Sequence, residues 1–122
     1  MENKNAEKGK KGENAVAEYL EKQGFKIVER NYYSRYGEID IIAENGRTMV
    51  FTEVKTRAGN AMVKAVFAVG ISKQRKIIKT AQYYLMTHDV SRETDYRFDM
   101  AEVVMCSEKI TEMNYISGAF IV

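Results

Sequence analysis

Two short apolar runs on either side of Asn45-Gly46 constrain this chain more than any other feature. Gly37-Glu38-Ile39-Asp40-Ile41-Ile42 precedes the dipeptide, and Val50-Phe51-Thr52-Glu53-Val54-Lys55 follows it. Asn-Gly between apolar runs is the strongest short-range signal for a β-hairpin, because both residues tolerate the positive φ that a tight turn demands. A loop centred on Asn45-Gly46 pairs Glu44 with Arg47. Counting back sets Asp40 opposite Phe51 and Glu38 opposite Glu53. Side chains alternate faces along a strand. One face then carries Glu38, Asp40, Ile42, Met49, Phe51, Glu53 and Lys55, and the other carries Ile39, Ile41, Val50, Thr52 and Val54. A slip of one residue would move Asp40 to the opposite face.

The Ile39/Ile41/Val50/Val54 face is a core face. The other is apolar near the turn and holds carboxylates and a lysine at its far end. Asp40 and Glu53 are diagonal neighbours, about 7–8 Å apart at Cα in such a ladder. Carboxylates at that separation can share one divalent cation, with oxygens at about 2.0–2.6 Å. Lys55, two residues past Glu53, points the same way. Asp…Glu-x-Lys is the layout of a metal-dependent phosphodiesterase. The carboxylates hold Mg²⁺ or Mn²⁺ on the scissile phosphate, and the lysine orients the attacking water or stabilises developing charge. The structural alternative for Glu-x-Lys is cross-strand charge pairing, worth about 0.2–1 kcal/mol. Glu-Val-Lys alone reads that way; Asp40 in matching register moves the reading to a metal site.

At 122 residues the chain has room for one domain. Its net charge of +2 does not by itself announce a polyanion partner. The basic residues are clustered, in the polar run 1–11 and at Lys73, Arg75, Lys76 and Lys79; such clusters are most often solvated faces. Cys106 stands alone, which excludes an intrachain disulfide and a cysteine zinc cluster. No apolar run reaches membrane-spanning length, and the N-terminus lacks the apolar core of a signal peptide. A cytoplasmic location, away from any membrane, is the expectation.

Residues 1–11 read as a flexible basic tail, and 12–122 as one domain. Val16, Ala17 and Leu20 predict a helix from about Gly12 to Gln23, stopped by Gly24. Glu13 lies on its buried stripe. It is either a first-turn acid complementing the helix dipole or a third carboxylate aimed at the hairpin. Phe25–Tyr32 predicts a strand, and 31–36 a polar, aromatic loop whose Tyr32, Tyr33 and Tyr36 either stack on bases or pack over a sheet edge. The apolar stretch 61–69 lacks a clear period and fits a strand, a cover or a partner surface. Ser72 is placed to cap a second helix that runs to about Thr87, with Ile77, Ile78, Ala81, Tyr84 and Leu85 as its buried stripe. Gln74 continues that stripe, either as a core-edge residue or as a hydrogen-bonding partner for a metal-bound water or phosphate. His88 reads as an ordinary surface residue. Arg97–Cys106 and Met113–Val122 predict two further strands, the last at an edge. The order is helix, three strands, helix, two strands. The long connection through the second helix suits a crossover between parallel strands.

Several of these residues form a pattern. Gly12-Glu13…Ala17-x-Tyr19-Leu20…Gly24…Arg30-Asn31…Gly37-Glu38-Ile39-Asp40-Ile41-Ile42…Phe51-Thr52-Glu53-Val54-Lys55-Thr56-Arg57 resembles the bacterial YraN-like family, and the likeness continues through Ala68-Val69, Lys73-Gln74-Arg75, Arg97-Phe98-Asp99 and Ala119-Phe120. That family is assigned to the restriction-endonuclease-like PD-(D/E)xK superfamily and is similar to Holliday-junction resolvases. The resemblance implies an α/β, restriction-endonuclease-like core with a mixed central sheet flanked by helices. It implies Asp40 and Glu53 as metal ligands, Lys55 as the catalytic lysine and Glu13 as the first-helix acid. Arg57, Lys73, Gln74 and Arg75 would meet the nucleic acid. The implied activity is Mg²⁺- or Mn²⁺-dependent hydrolysis of DNA, including branched DNA. Because resolvases act as two-fold dimers, a homodimer is an assembly the resemblance allows. A non-catalytic nucleic-acid-binding or protein-interaction module on the same fold is the alternative. The sequence departs from the family around 58–70, where Val63, Ala65 and Phe67 replace its usual Gly, Pro and acid.

Overall fold

The computed structural model describes residues 4–59 and 69–120. The elements run α1 (Lys4–Lys22), β1 (Lys26–Ser34), β2 (Gly37–Asn45), β3 (Thr48–Ala58), α2 (Ile71–Thr87), β4 (Asp95–Cys106) and β5 (Lys109–Phe120). The strands form one five-stranded sheet in the order β1-β2-β3-β4-β5. The β3–β4 pair is parallel and the others are antiparallel. The connection through α2 is therefore the expected crossover, and β5 lies at an edge. Most of the apolar stretch 61–69 lies outside the described residues; Val69, at its end, is buried against Met100.

The sheet is covered on both faces. On one, Val16, Ala17 and Leu20 of α1 pack on Ile41, Ala43, Val50, Ala101, Val103 and Met105. On the other, Ile77, Ala81 and Tyr84 of α2 pack on Ile39, Ile42, Met49, Phe51 and Phe98. Apolar residues on both sides of central strands are what a doubly covered sheet requires. The α1 stop is as expected. Gly24 has φ 94°, and the Phe25 N–H donates to the Leu20 carbonyl at 2.9 Å, closing the helix in the glycine-terminated manner. The start is not. α1 begins at Lys4 rather than Gly12, because Lys, Glu and Ala favour helix and no proline intervenes. Gly12 is buried mid-helix, and a Cβ there would collide with Thr56 Oγ1 on β3. α1 can approach the sheet closely only because this residue has no side chain.

The hairpin forms, with a corrected register. Asn45 pairs with Thr48 and Glu44 with Met49, so the turn residues are Gly46-Arg47, with Gly46 at φ 59°. Ile42, rather than Asp40, faces Phe51. The shift is two residues along β2. Side chains repeat every two residues, so the faces survive the error. One departure is local. Ile39 joins the α2-side core with Ile42, whereas Ile41 joins the α1 side. The alternation therefore breaks at Asp40. The neighbouring β1 breaks with it: Asn31 has φ 51°, Arg30 reaches Glu13 and Asn14 of α1, and Tyr32 packs against Tyr84 of α2.

Three smaller corrections concern α2 and the end of β1. Ser72 lies inside the helix, whose N-cap is Gly70 without a side-chain cap. Thr80 is fully buried, and Ile78 and Leu85 are half-buried. β1 extends to Ser34, so the expected 31–36 loop reduces to a tight turn at Arg35-Tyr36.

Candidate active site

The β2–β3 ladder runs from Asn45↔Thr48 to Ile41↔Thr52. One further step would set Asp40 opposite Glu53. There the Asp40 carboxylate takes the place of a ladder bond: its Oδ2 accepts the Val54 backbone N–H at 2.8 Å. Asp40 thus stands in the gap between the strands and lines clefts on both sides of the sheet. Glu13, Lys55, Thr56 and Arg57 line the first with it. Glu38, Glu53, Lys73 and Lys76 line the second.

The electrostatics of this point are unusual for a β-sheet. Burial, and then the charge of Glu53, raise the Asp40 pKa to about 7 from an ordinary 3.8, with Glu13 and Glu38 adding to the rise and the Val54 N–H opposing it. Asp40 therefore feels the charge of three other carboxylates, Glu53 most strongly. Glu53 is buried, and Lys73 of α2 reaches it at 2.7 Å. Burial opposes the charge of the Lys73 ammonium, but its bond to Glu53 and the neighbouring carboxylates hold its pKa above the ordinary lysine range.

Glu13 stands beside this cluster, held by Arg30 Nη2 at 3.2 Å and Asn31 Nδ2 at 3.0 Å. Since α1 begins at Lys4, Glu13 is well past the first turn, and the dipole reading of this residue fails. Lys55 lies two residues beyond Glu53 on β3 and lines the first cleft, whereas Glu53 lines the second. Arg57 reaches the buried Glu102 on β4 at 3.7 Å. Lys73, Gln74 and Arg75 diverge. Lys73 enters the site, Gln74 Nε2 donates to the Val69 carbonyl at 3.0 Å, and Arg75 lines an outward groove with Ile71, Lys79 and Gln82. Among the described residues, no three His, Cys, Asp or Glu side chains form a ready metal cage.

Sequence reasoning missed Glu38, Lys76 and Glu102 as parts of the site. Glu38 had a signal, since it shares strand and parity with Asp40. Lys76 lies one helical turn after Lys73. Glu102 meets Arg57 only through the parallel β3–β4 pairing, and nothing local marks it. The quoted Arg30-Asn31 pair also gains a role, as the support of Glu13.

Residues 12–103 match the uncharacterised protein family UPF0102. The chain belongs to that family. A UPF0102 protein of Persephonella marina is 44% identical over 97 residues, covering 80% of this chain and 83% of its own. Another, of Alkaliphilus metalliredigens, is 39% identical over 112 residues, covering 92% and 96%. Among solved structures the UPF0102 chain is similar to Archaeoglobus fulgidus Hjc, a Holliday junction resolvase from an archaeal hyperthermophile. The TM-score is 0.52 at 18% identity, over 86% of this chain and 72% of that one. The fold is thus restriction-endonuclease-like: a mixed sheet between two helices, with the carboxylate cluster where two central strands part. No helix of the described residues is long and apolar enough to cross a membrane.

Proposed function

We propose that this UPF0102 chain is a divalent-metal-dependent phosphodiesterase acting on DNA, with branched DNA as its preferred form. The observation that carries this reading is the meeting of Asp40 and Glu53 at the end of the β2–β3 ladder, beside Lys55 and open to two clefts. The donor set fits Mg²⁺ or Mn²⁺. Mg²⁺ keeps several waters and takes one or two protein carboxylates together with substrate phosphate, so a complete protein cage is unnecessary. A carboxylate whose pKa is raised by burial and then by a neighbouring carboxylate is one that a cation would stabilise. Asp40 and Glu53 would hold the ion, with Glu13 as a third, more distant acid. A bound Mg²⁺ supplies a clamp on the scissile phosphate and a lowered pKa for the attacking water.

The chain's own groups supply the rest. The Val54 N–H fixes the Asp40 carboxylate. Lys55 orients the water or meets charge developing on the phosphoryl oxygens. Lys73, on leaving Glu53, is free to meet phosphate, with Arg75 further along the same helix. Arg57 would serve from the first cleft. Gln74 acts through Val69, holding the approach to α2. Phosphate contacts of this kind position a substrate without reading its sequence. The support from known proteins is the likeness of fold to a Holliday junction resolvase, and fold alone does not establish chemistry.

One observation favours a second reading. Lys73 already pairs with Glu53 at 2.7 Å, which occupies one of the two carboxylates a metal would use and suits a non-catalytic nucleic-acid-binding module. Calorimetric titration with Mg²⁺ and Mn²⁺, for wild type and Asp40→Asn, separates the two. The nuclease reading expects binding that the substitution abolishes, and metal-dependent cleavage of a four-way DNA junction that disappears with it. No metal binding at millimolar concentration, with junction DNA present, would leave the binding module.

A further inference from the structure

Beyond the carboxylate cleft, the β1–β2 turn and α2 build a second feature. The turn is pinned to the helix. Ser34 Oγ donates to Thr80 Oγ1 at 3.2 Å and accepts the Tyr36 N–H at 3.0 Å, while Thr80 Oγ1 donates to the Lys76 carbonyl at 2.8 Å. Gly37 takes φ 156°, which a residue with a side chain rarely adopts, and it lies against Lys76 and Thr80, where a Cβ would be in ordinary contact at 3.4 Å. Tyr36 is thereby set against Tyr83, with ring centroids 6.3 Å apart at 63°. The Arg35 guanidinium lies 4.9 Å from the Tyr36 ring centre, and Lys79 Nζ lies 6.0 Å from it. Tyr83 is 42% exposed. α2, from Ile71 to Thr87, carries Lys73, Arg75, Lys76 and Lys79 and no acidic residue. Lys76 and Gly37 also line the cleft that holds Asp40 and Glu53, so the aromatic surface continues into it.

We propose that Tyr36 and Tyr83, with Arg35, Lys76 and Lys79, form a platform for unpaired nucleotides. Aromatic faces flanked by cations are what single-stranded nucleic acid uses, because every base has a π-face and every linkage a charge. Tyr32 and Tyr33 do not share the role: Tyr32 packs on Tyr84, and Tyr33 stands against Glu38. The proposal rests on the nuclease reading in one respect: a strand on the platform is led toward Asp40. The substrate class that follows is DNA with a single-stranded arm or a splayed branch, rather than continuous duplex.

The test is fluorescence anisotropy with a labelled oligothymidylate of about 12 nucleotides, in EDTA at low salt, so that neither metal nor cleavage enters. Wild type should bind it more tightly than a blunt duplex of equal length. Tyr83→Ala should weaken binding at least about fivefold, and Tyr36→Ala/Tyr83→Ala further, since each base stack is worth on the order of 1–3 kcal/mol. Tyr83→Phe keeps the ring and should bind within twofold of wild type. Lys79→Gln should lower the salt dependence by about one phosphate contact. Circular dichroism verifies that each variant is folded. Undetectable oligothymidylate binding by wild type, equal or tighter binding of duplex, or a folded double alanine variant that binds like wild type would overturn the proposal. Asp40→Asn should retain oligothymidylate binding. Failure of the catalytic reading would thus leave this result untouched, and failure of the platform would leave the metal titration untouched.

Discussion

Two aspartates on strands either side of β3, one fully buried and one half-buried, are treated in opposite ways. Asp99 on β4 is fully buried and surrounded by donors. Arg97 Nε reaches its two oxygens at 2.9 and 3.2 Å, Tyr115 Oη at 2.5 Å and the Gly118 N–H at 2.9 Å. Tyr115 has one hydroxyl hydrogen and gives it to Asp99, so the Thr52 hydroxyl, 3.0 Å away, must donate to Tyr115. Burial and the Asp99 bond push the Tyr115 pKa above the ordinary tyrosine range. This network ties β5 to β4 where their register shifts. Asp40 has a backbone N–H and three neighbouring carboxylates. A buried charge with donors around it holds a fold together; one with like charges around it costs stability and awaits a counter-charge. The contrast separates structural from functional acids more sharply than burial does.

Breaking the Asp99 side should have the largest effect. Asp99→Ala leaves Tyr115, Gly118 and Arg97 without their acceptor, and removing one partner from such a network costs about 3 kcal/mol or more. Urea denaturation should show that loss, with metal binding retained once folding is restored at low temperature. A loss under about 1 kcal/mol would mean that the network contributes little.

The Asp40 side should move the other way. Its folded pKa, about 7, lies above the ordinary 3.8, so the native state binds this proton more tightly than the unfolded chain does. Its contribution to stability therefore falls as pH rises between those values and is flat above about 7. Asp40→Asn keeps an acceptor for Val54 and removes the charge. Because solvent reaches the clefts, the gain should be about 1–2 kcal/mol at pH 8, less than the full shift implies at about 1.4 kcal/mol per pKa unit. By about pH 3.5, below the ordinary 3.8, where the carboxyl is protonated in the folded and the unfolded chain alike, the difference should vanish. Paired thermal melts at the two pH values would check it. A variant less stable than wild type at pH 8 would refute the assignment of Asp40 as an uncompensated charge. A stabilised protein that has lost metal binding is the expected trade between stability and activity.

How far this contrast was legible in the sequence depends on range. Periodicity reports faces, so the core stripes of α1 and α2 and the strand pair are readable; Asp40, Glu53 and Lys55 are readable as neighbours on that pair, while which cleft each lines is not. The turn was placed one residue early because Asn45-Gly46 and Gly46-Arg47 both put Gly46 in a turn position, and only the observed pairing separates them. The break in alternation at Asp40 coincides with the positive φ of Asn31 on the neighbouring strand, and no local spacing in β2 marks it. The Lys73–Glu53, Arg30–Glu13 and Arg57–Glu102 pairs each join different elements, and no spacing rule reaches across them. Arg97-Phe98-Asp99 belongs to the family pattern, but no spacing marks its role, because Tyr115 and Gly118 enter from β5 at a bulge that strand periodicity does not reveal.

The smallest effects sharpen the same comparison within one strand. Thr52 and Thr56 both lie on β3 and both bury a hydroxyl. Thr52 gives its hydrogen to Tyr115, inside the satisfied network. Among the described residues Thr56 Oγ1 is buried without a hydrogen-bond partner, against Gly12 and beside the Asp40 cleft. Valine replaces hydroxyl by methyl at nearly constant shape. Thr52→Val removes a donor from Tyr115 and should cost about 1 kcal/mol, whereas Thr56→Val removes a group already desolvated for nothing and should be neutral or stabilising by up to about 1 kcal/mol. Chemical denaturation of the two single variants and the double would measure both. Opposite signs, additive in the double variant, would show that stability is concentrated where β4 and β5 meet and is given up where β2 and β3 part. Equal losses at both positions would mean that Thr56 has a partner, most simply a water bridging it to the cleft, and that the site side of the sheet is better satisfied than the Asp40 environment implies.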